Sequence, residues 1–166
     1  MKEAFFWALM SETQQASGND PSVQQGLLER ELIELTLDEI IAFDSILRKL
    51  TNKAYHWKLW AAAYLINGGC SDDCFMDFRG WLVAQGEAIY TQALNDPDSL
   101  SELDYLEEDM DWEGYSYLAF TVYERRTGGE MPINEALIHP ATPVGKDWEE
   151  DDLASLLPRL SQKYDG

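Results

Sequence analysis

Apolar residues recur at three- and four-residue intervals along most of this chain, the spacing of helices with one buried face, and nothing in the pattern reads as a sheet. Phe5, Phe6, Leu9 and Met10 predict a first helix that ends before the breaker cluster Ser17-Gly18-Asn19-Asp20-Pro21. A second begins at Pro21 and carries Val23, Leu27, Leu28 and Leu32. Thr36 followed by Glu39 has the form of a capping box, opening an amphipathic helix through Leu37, Ile40, Ile41, Leu47 and Leu50. From Ala54 to Ile66 the chain is apolar on almost every side, which predicts the central helix, with Trp57, Trp60, Ala61, Tyr64 and Leu65 on its densest stripe. Gly68-Gly69 stops it, and Ser71 or Asp72 caps one long helix running from Phe75 to Ala93.

Beyond the turn Asn95-Asp96-Pro97-Asp98-Ser99 the helical signal weakens to Leu103, Leu106 and Met110. Asp111 is read as the cap of a last long helix carrying Trp112, Tyr115, Ala119, Val122 and Tyr123 and stopping at Thr127-Gly128-Gly129. Residues from about 129 to 150 are rich in proline and poor in period, so they are expected to lie extended across the helical body, before a short helix capped by Asp151 or Asp152. The expectation is a mainly α fold: a single-domain helical bundle over residues 1–166 with an irregular C-terminal segment.

Composition turns from fold to partners. Against 31 Asp and Glu the chain has 12 Lys and Arg, a formal charge of −19. Such a surface repels polyanions, which excludes nucleic acid and an anionic membrane leaflet as partners. Phe5 to Met10 is too short for a secretory hydrophobic region, and no stretch approaches the roughly 20 uncharged residues of a membrane span, so a cytoplasmic location is expected. Cys70 and Cys74, four apart, match neither a redox nor a zinc-ribbon spacing and are read as two buried free thiols. With His56 and His139 alone, a histidine-rich metal site is close to excluded; no metal or cofactor is expected.

Two places could carry function. Residues 96–113 hold nine acids and no Lys or Arg, and residues 147–152 add five. If Leu103, Leu106 and Met110 face the core, a helix there makes an acidic ridge, either solvated or gathered for a cationic partner. Glu107, Glu108, Asp109, Asp111, Trp112 and Trp148 are its candidate contacts; each tryptophan, ringed by carboxylates, either anchors a basic protein or pins a charged loop. The alternative is an enzyme pocket at the Gly68-Gly69 junction formed by Tyr64, Asn67, Asp72, Asp73 and Arg79, where the aspartates otherwise serve as helix caps.

The run Leu59-Trp60-Ala61-Ala62-Ala63-Tyr64-Leu65-Ile66-Asn67-Gly68-Gly69-Cys70-Ser71-Asp72-Asp73, with Phe78-Arg79-Gly80-Trp81-Leu82-Val83-Ala84-Gln85-Gly86 and Asp96-Pro97-Asp98-Ser99-Leu100, resembles the bacterial domain of unknown function (DUF) 4240 family. Phe6-Trp7, the segment from Tyr123-Glu124 to Gly128, and Trp148-Glu149-Glu150-Asp151-Asp152-Leu153 are similar too, so the resemblance spans most of the chain. It implies no assigned activity and no catalytic residue. The functional expectation therefore comes from charge: an acidic interaction module that binds a basic protein, in one version an immunity protein occluding the cationic cleft of a nuclease-like toxin.

Overall fold

The computed structural model describes residues 1–108 and 110–164. It is mainly α: among the described residues there are nine α-helices, three 3-10 turns and no strand. The helices are α1 (Glu3–Ala16), α2 (Pro21–Ile33), α3 (Leu37–Lys53), α4 (Trp57–Asn67), α5 (Asp72–Ala84), α6 (Glu87–Asn95), α7 (Leu118–Thr127), α8 (Leu153–Leu156) and α9 (Pro158–Tyr164). No helix is long and apolar enough to cross a membrane among the described residues.

The starts of the first helices follow from local chemistry. Asp20 accepts from the Val23 amide at 3.2 Å, and Pro21 occupies the first turn of α2, where its missing N–H costs nothing. Thr36 and Glu39 close a reciprocal capping box at α3, and Ser71 accepts from the Cys74 amide at 3.2 Å to open α5. Gln24, buried between α1, α2 and α5, donates to the Ala84 carbonyl at 2.7 Å and accepts from the Tyr115 hydroxyl at 2.9 Å, so the polar group in the core is satisfied from three elements. An aromatic ladder leads from half-buried Trp57 and Trp60 into the core: Trp57 stacks on Trp60 at 5.3 Å, Trp60 on Phe75 at 5.1 Å, and Phe78 meets both Trp81 and Trp112.

Four expectations from the pattern are corrected. The helix expected from Ala54 begins at Trp57, because Val144 pairs with the backbone there: the Val144 amide donates to the Tyr55 carbonyl at 2.8 Å and the Trp57 amide to the Val144 carbonyl at 3.0 Å. The helix expected from Phe75 to Ala93 is two, α5 and α6, divided at Gly86, whose φ of 102° is a conformation side chains resist. Residues 103–108 and 110–114 are not helical, and the last long helix starts at Leu118 rather than after Asp111, behind a 3-10 turn at Tyr115–Tyr117. The cysteines are not free thiols: Cys70 and Cys74, with Cα atoms 5.3 Å apart, form a disulfide bridging the loop into α5.

The segment after α7 is irregular and extended, held to the body at separate points. Asn52 reaches the carbonyls of Leu137 and Ile138, His139 meets Arg79, Val144 pairs beside α4, and the Trp148 indole donates to the Trp57 carbonyl at 2.7 Å. A turn at Glu150–Asp152, then α8 and α9, return the chain against α4 and the 3-10 turn Pro97–Glu102.

Candidate functional site

The candidate residues fall into two regions. One lies at the C-terminal end of α4. Gly68 ends that helix in the left-handed conformation, with φ of 68°, and a Cβ added there would lie 2.6 Å from Glu108 Oε1, so the acidic loop after Leu103 packs against the helix end. Glu107, Glu108 and Asp111 are exposed; Asp109 lies outside the described residues. Asp111 Oδ1 accepts from the Glu113 amide at 3.0 Å, an Asx turn in place of the expected helix cap. On α5, Asp73 and Asp77 lie one turn apart, and Asp77 sits near Asp73, Asp111 and Glu113. Partial burial, then repulsion from those three carboxylates, raises the Asp77 pKa.

The ridge is therefore not a helix face, but a cluster in which a loop and α5 gather their acids. Its sequence neighbours are neutralised: Arg159 holds Asp96 at 2.7 Å, Glu102 at 3.1 Å and Asp98 at 3.2 Å, and Asp98 also caps α9 through the amides of Arg159 and Leu160. Of the two readings left open for the tryptophans, anchor or pin, the contacts favour the pin. Trp112 is 3% exposed and packs on Phe78 and Trp81, so it belongs to the core and is no surface anchor. Trp148 is half-buried against Tyr64, with ring centroids 5.2 Å apart, and its indole N–H is engaged by Trp57, which makes it a pin for the irregular segment.

The residues proposed for a pocket at the Gly68-Gly69 junction are divided among several contacts. Tyr64 donates to Glu150; Asn67 donates to the Gly69 carbonyl at 3.0 Å; Asp73 joins Asp77. Asp72 accepts from the Tyr55 hydroxyl at 3.0 Å, and through Tyr55 it connects to the second region, around Arg79.

Arg79 is the most deeply buried charge among the described residues, 1% exposed within the apolar stripe of α5. Its guanidinium lies 4.4 Å from the Tyr55 ring centroid and 4.9 Å from that of Phe75. Nε donates to the Phe75 carbonyl at 3.3 Å and Nη1 to the Thr51 carbonyl at 3.0 Å, while Nη2 lies 3.0 Å from His139 Nε2. Because a guanidinium only donates, His139 Nε2 is the acceptor of this bond. Burial lowers the Arg79 pKa to about 10, opposed by the negative charge of Asp72. Beside it a cleft of about 320 Å³ opens between α3, α5, Tyr117 and the irregular segment. Asp44 and Arg48, four apart on α3 and paired at 2.8 Å, line the same cleft; burial raises the Asp44 pKa, with Arg48 acting against it.

Arg79 was a candidate from sequence, but His139, Tyr55, Asp44 and Arg48 were not. An arginine inside an apolar helical stripe was the available signal, since it demands partners; their identity depends on contacts 28 and 60 residues away. Among the described residues, no group of three His, Cys, Asp or Glu side chains is placed to hold a metal ion.

The sequence model of the family described as "Protein of unknown function (DUF4240)" matches residues 1–125, and the chain belongs to that family. The match takes in α1 to α6 and most of α7, including Arg79 and the acidic loop, and leaves out the segment that carries His139 and Trp148. No curated protein and no solved structure matches the chain.

Proposed function

We propose that this member of the family is an acidic interaction module that binds a basic protein, with an immunity-type inhibitor of a nuclease-like toxin as the concrete version. One observation carries the reading: Asp111 and Glu113 of the loop gather with Asp73 and Asp77 of α5, Glu108 lies against Gly68 at the end of α4, and no Lys or Arg pairs with them among the described residues. Like charges brought this close cost stability, and a cationic partner relieves that cost on binding. Trp112 lies in the core and Trp148 is engaged, so the reading rests on charge rather than aromatic anchors.

The test is affinity capture at low salt, followed by titration of the purified partner with wild type and with an Asp73→Asn, Glu108→Gln, Asp111→Asn, Glu113→Gln variant. The expected result is an affinity that falls steeply between about 50 and 500 mM NaCl, and a variant that binds at least tenfold more weakly. A variant that binds like wild type, or affinity indifferent to salt, refutes the proposal. A cytoplasmic setting suits such an inhibitor, and there the Cys70–Cys74 bond is what a reducing milieu opposes. Alkylation of both cysteines in freshly lysed cells supports that setting; a retained bond places the protein in an oxidising one.

A further inference from the structure

We infer that the cleft beside Arg79 is a binding site for a small monocarboxylate with an apolar body, a function independent of the acidic face and using none of its residues. The cleft's volume, about 320 Å³, lies at the small end of the range for ligand sites. Its walls divide by chemistry. Leu47, Met76, Phe120 and Leu137 are apolar, while Arg79, Arg48 and Asp44 bring charge.

The charges are unequal in their compensation. Arg48 is paired directly with Asp44 and lies over the Phe120 ring at 5.2 Å. Arg79 has as hydrogen-bond partners two main-chain carbonyls and an imidazole, none of them an anion, and Asp72 acts on it electrostatically without a direct contact. A guanidinium has five N–H groups. Three are engaged, which leaves one on each terminal nitrogen, the donor set that grips both oxygens of a carboxylate.

The acids and arginines lining the cleft are Arg48, Arg79 and Asp44, a formal sum of +1. That suits a monoanion. A phosphate dianion would meet Asp44 in the same small cleft with only one uncompensated cation to hold it. The apolar walls then select a carboxylate that carries a hydrocarbon or aromatic body over a bare oxyanion.

The test uses the full chain and calorimetric titration with phenylacetate, its uncharged isostere phenylacetamide, and inorganic phosphate. Phenylacetate is expected to bind one to one, phenylacetamide at least tenfold more weakly, and phosphate not at all. Two variants place the binding in the cleft. Asp44→Asn removes the one repelling charge and is expected to tighten phenylacetate roughly three- to tenfold without changing phenylacetamide. Met76→Trp fills the cleft and is expected to abolish phenylacetate binding while thermal unfolding stays cooperative. The inference is overturned by absence of phenylacetate binding up to ~10 mM, by equal binding of the amide, by phosphate binding in its place, or by binding that survives Met76→Trp in a folded protein.

Discussion

Replacing Arg79 by lysine keeps the charge and removes the fork, and so isolates what the guanidinium does. The arginine connects three places at once: the preceding turn of α5 through Phe75, the end of α3 through Thr51, and the irregular segment through His139. A single ammonium on a flexible stem cannot reach all three, and it stacks less well between the Tyr55 and Phe75 rings. Hydrogen bonds from a charged donor are worth about 1.5–3 kcal/mol each, and losing two while a charge stays buried gives an expected cost of about 3–5 kcal/mol. For a chain of this length that lowers Tm by roughly 6–20 °C. Arg79→Met removes the charge with the fork, leaving neutral acceptors at Thr51 and His139 that lie near solvent, so it is expected to cost less than the lysine variant. Both variants free the segment around His139, so limited proteolysis between 129 and 150 is expected to accelerate in both alike. Calorimetric melts and a proteolysis time course check the two readouts separately. A lysine variant within about 1 kcal/mol of wild type, or a methionine variant clearly worse than lysine, refutes the account of Arg79 as a buried, multiply bonded clasp.

Three further outcomes follow from other parts of the molecule. Reducing Cys70–Cys74 opens a loop of about five residues, so the chain-entropy estimate gives a loss of about 2 kcal/mol, read from denaturant titrations with and without a phosphine reductant. Asp77→Asn is expected to stabilise the protein by a few tenths of a kcal/mol at pH 7, because the Asp73–Asp77 like-charge pair on one helix face is removed. The sign follows from the raised pKa of Asp77: the folded state takes up its proton first, so wild type gains stability as pH falls through that pKa, and its deficit against the variant closes towards the ordinary aspartate value of 3.8. A deficit that persists at pH 3 counts against this. Trp112→Ala is expected to cost about 3–5 kcal/mol as a core truncation, measured by chemical denaturation; a cost below about 1 kcal/mol would return Trp112 to the surface role the sequence suggested.

Much of the helical framework is legible in the chain because it is written locally. The Thr36–Glu39 box, the Asp20 and Ser71 caps and the stops at Gly68 and Gly128 each depend on residues within a turn of one another. The acidic loop misleads for the opposite reason. Leu103, Leu106 and Met110 have helical spacing, but the carbonyls that a helix would use internally are taken from outside: Lys163 donates to those of Ser101 and Leu103, and Tyr164 to that of Leu106. A helix there would also have aligned acids with no cation among them, a repulsion that the open loop lessens. Trp112 shows the same dependence: its acidic neighbours suggest exposure, while the loop turns its ring into Phe78 and Trp81. The Arg79 cleft has its warning in sequence, a charge on an apolar stripe, but its partner His139 lies 60 residues on in a segment without periodicity.

Where a chain so poor in cations places the few it has separates its acids into two kinds. Arg159 binds Asp96, Asp98 and Glu102, and the nearly buried Asp98 in turn caps α9, so this acidic stretch joins the C-terminal helix to the Pro97–Glu102 turn. Arg48 lies against Asp44 in the same structural sense. Among the described residues, Asp73, Asp77, Asp111 and Glu113 have no such neighbour, although a single lysine among them would have relieved the repulsion at Asp77. The two kinds must respond oppositely to neutralisation. Removing charge from Asp98 leaves Arg159 and two helix amides short of an acceptor and weakens the fold, whereas removing it from Asp77 relieves a repulsion the fold carries. Acids whose loss stabilises the free protein serve no purpose in holding it together, and they are therefore the ones whose presence a cationic partner would explain.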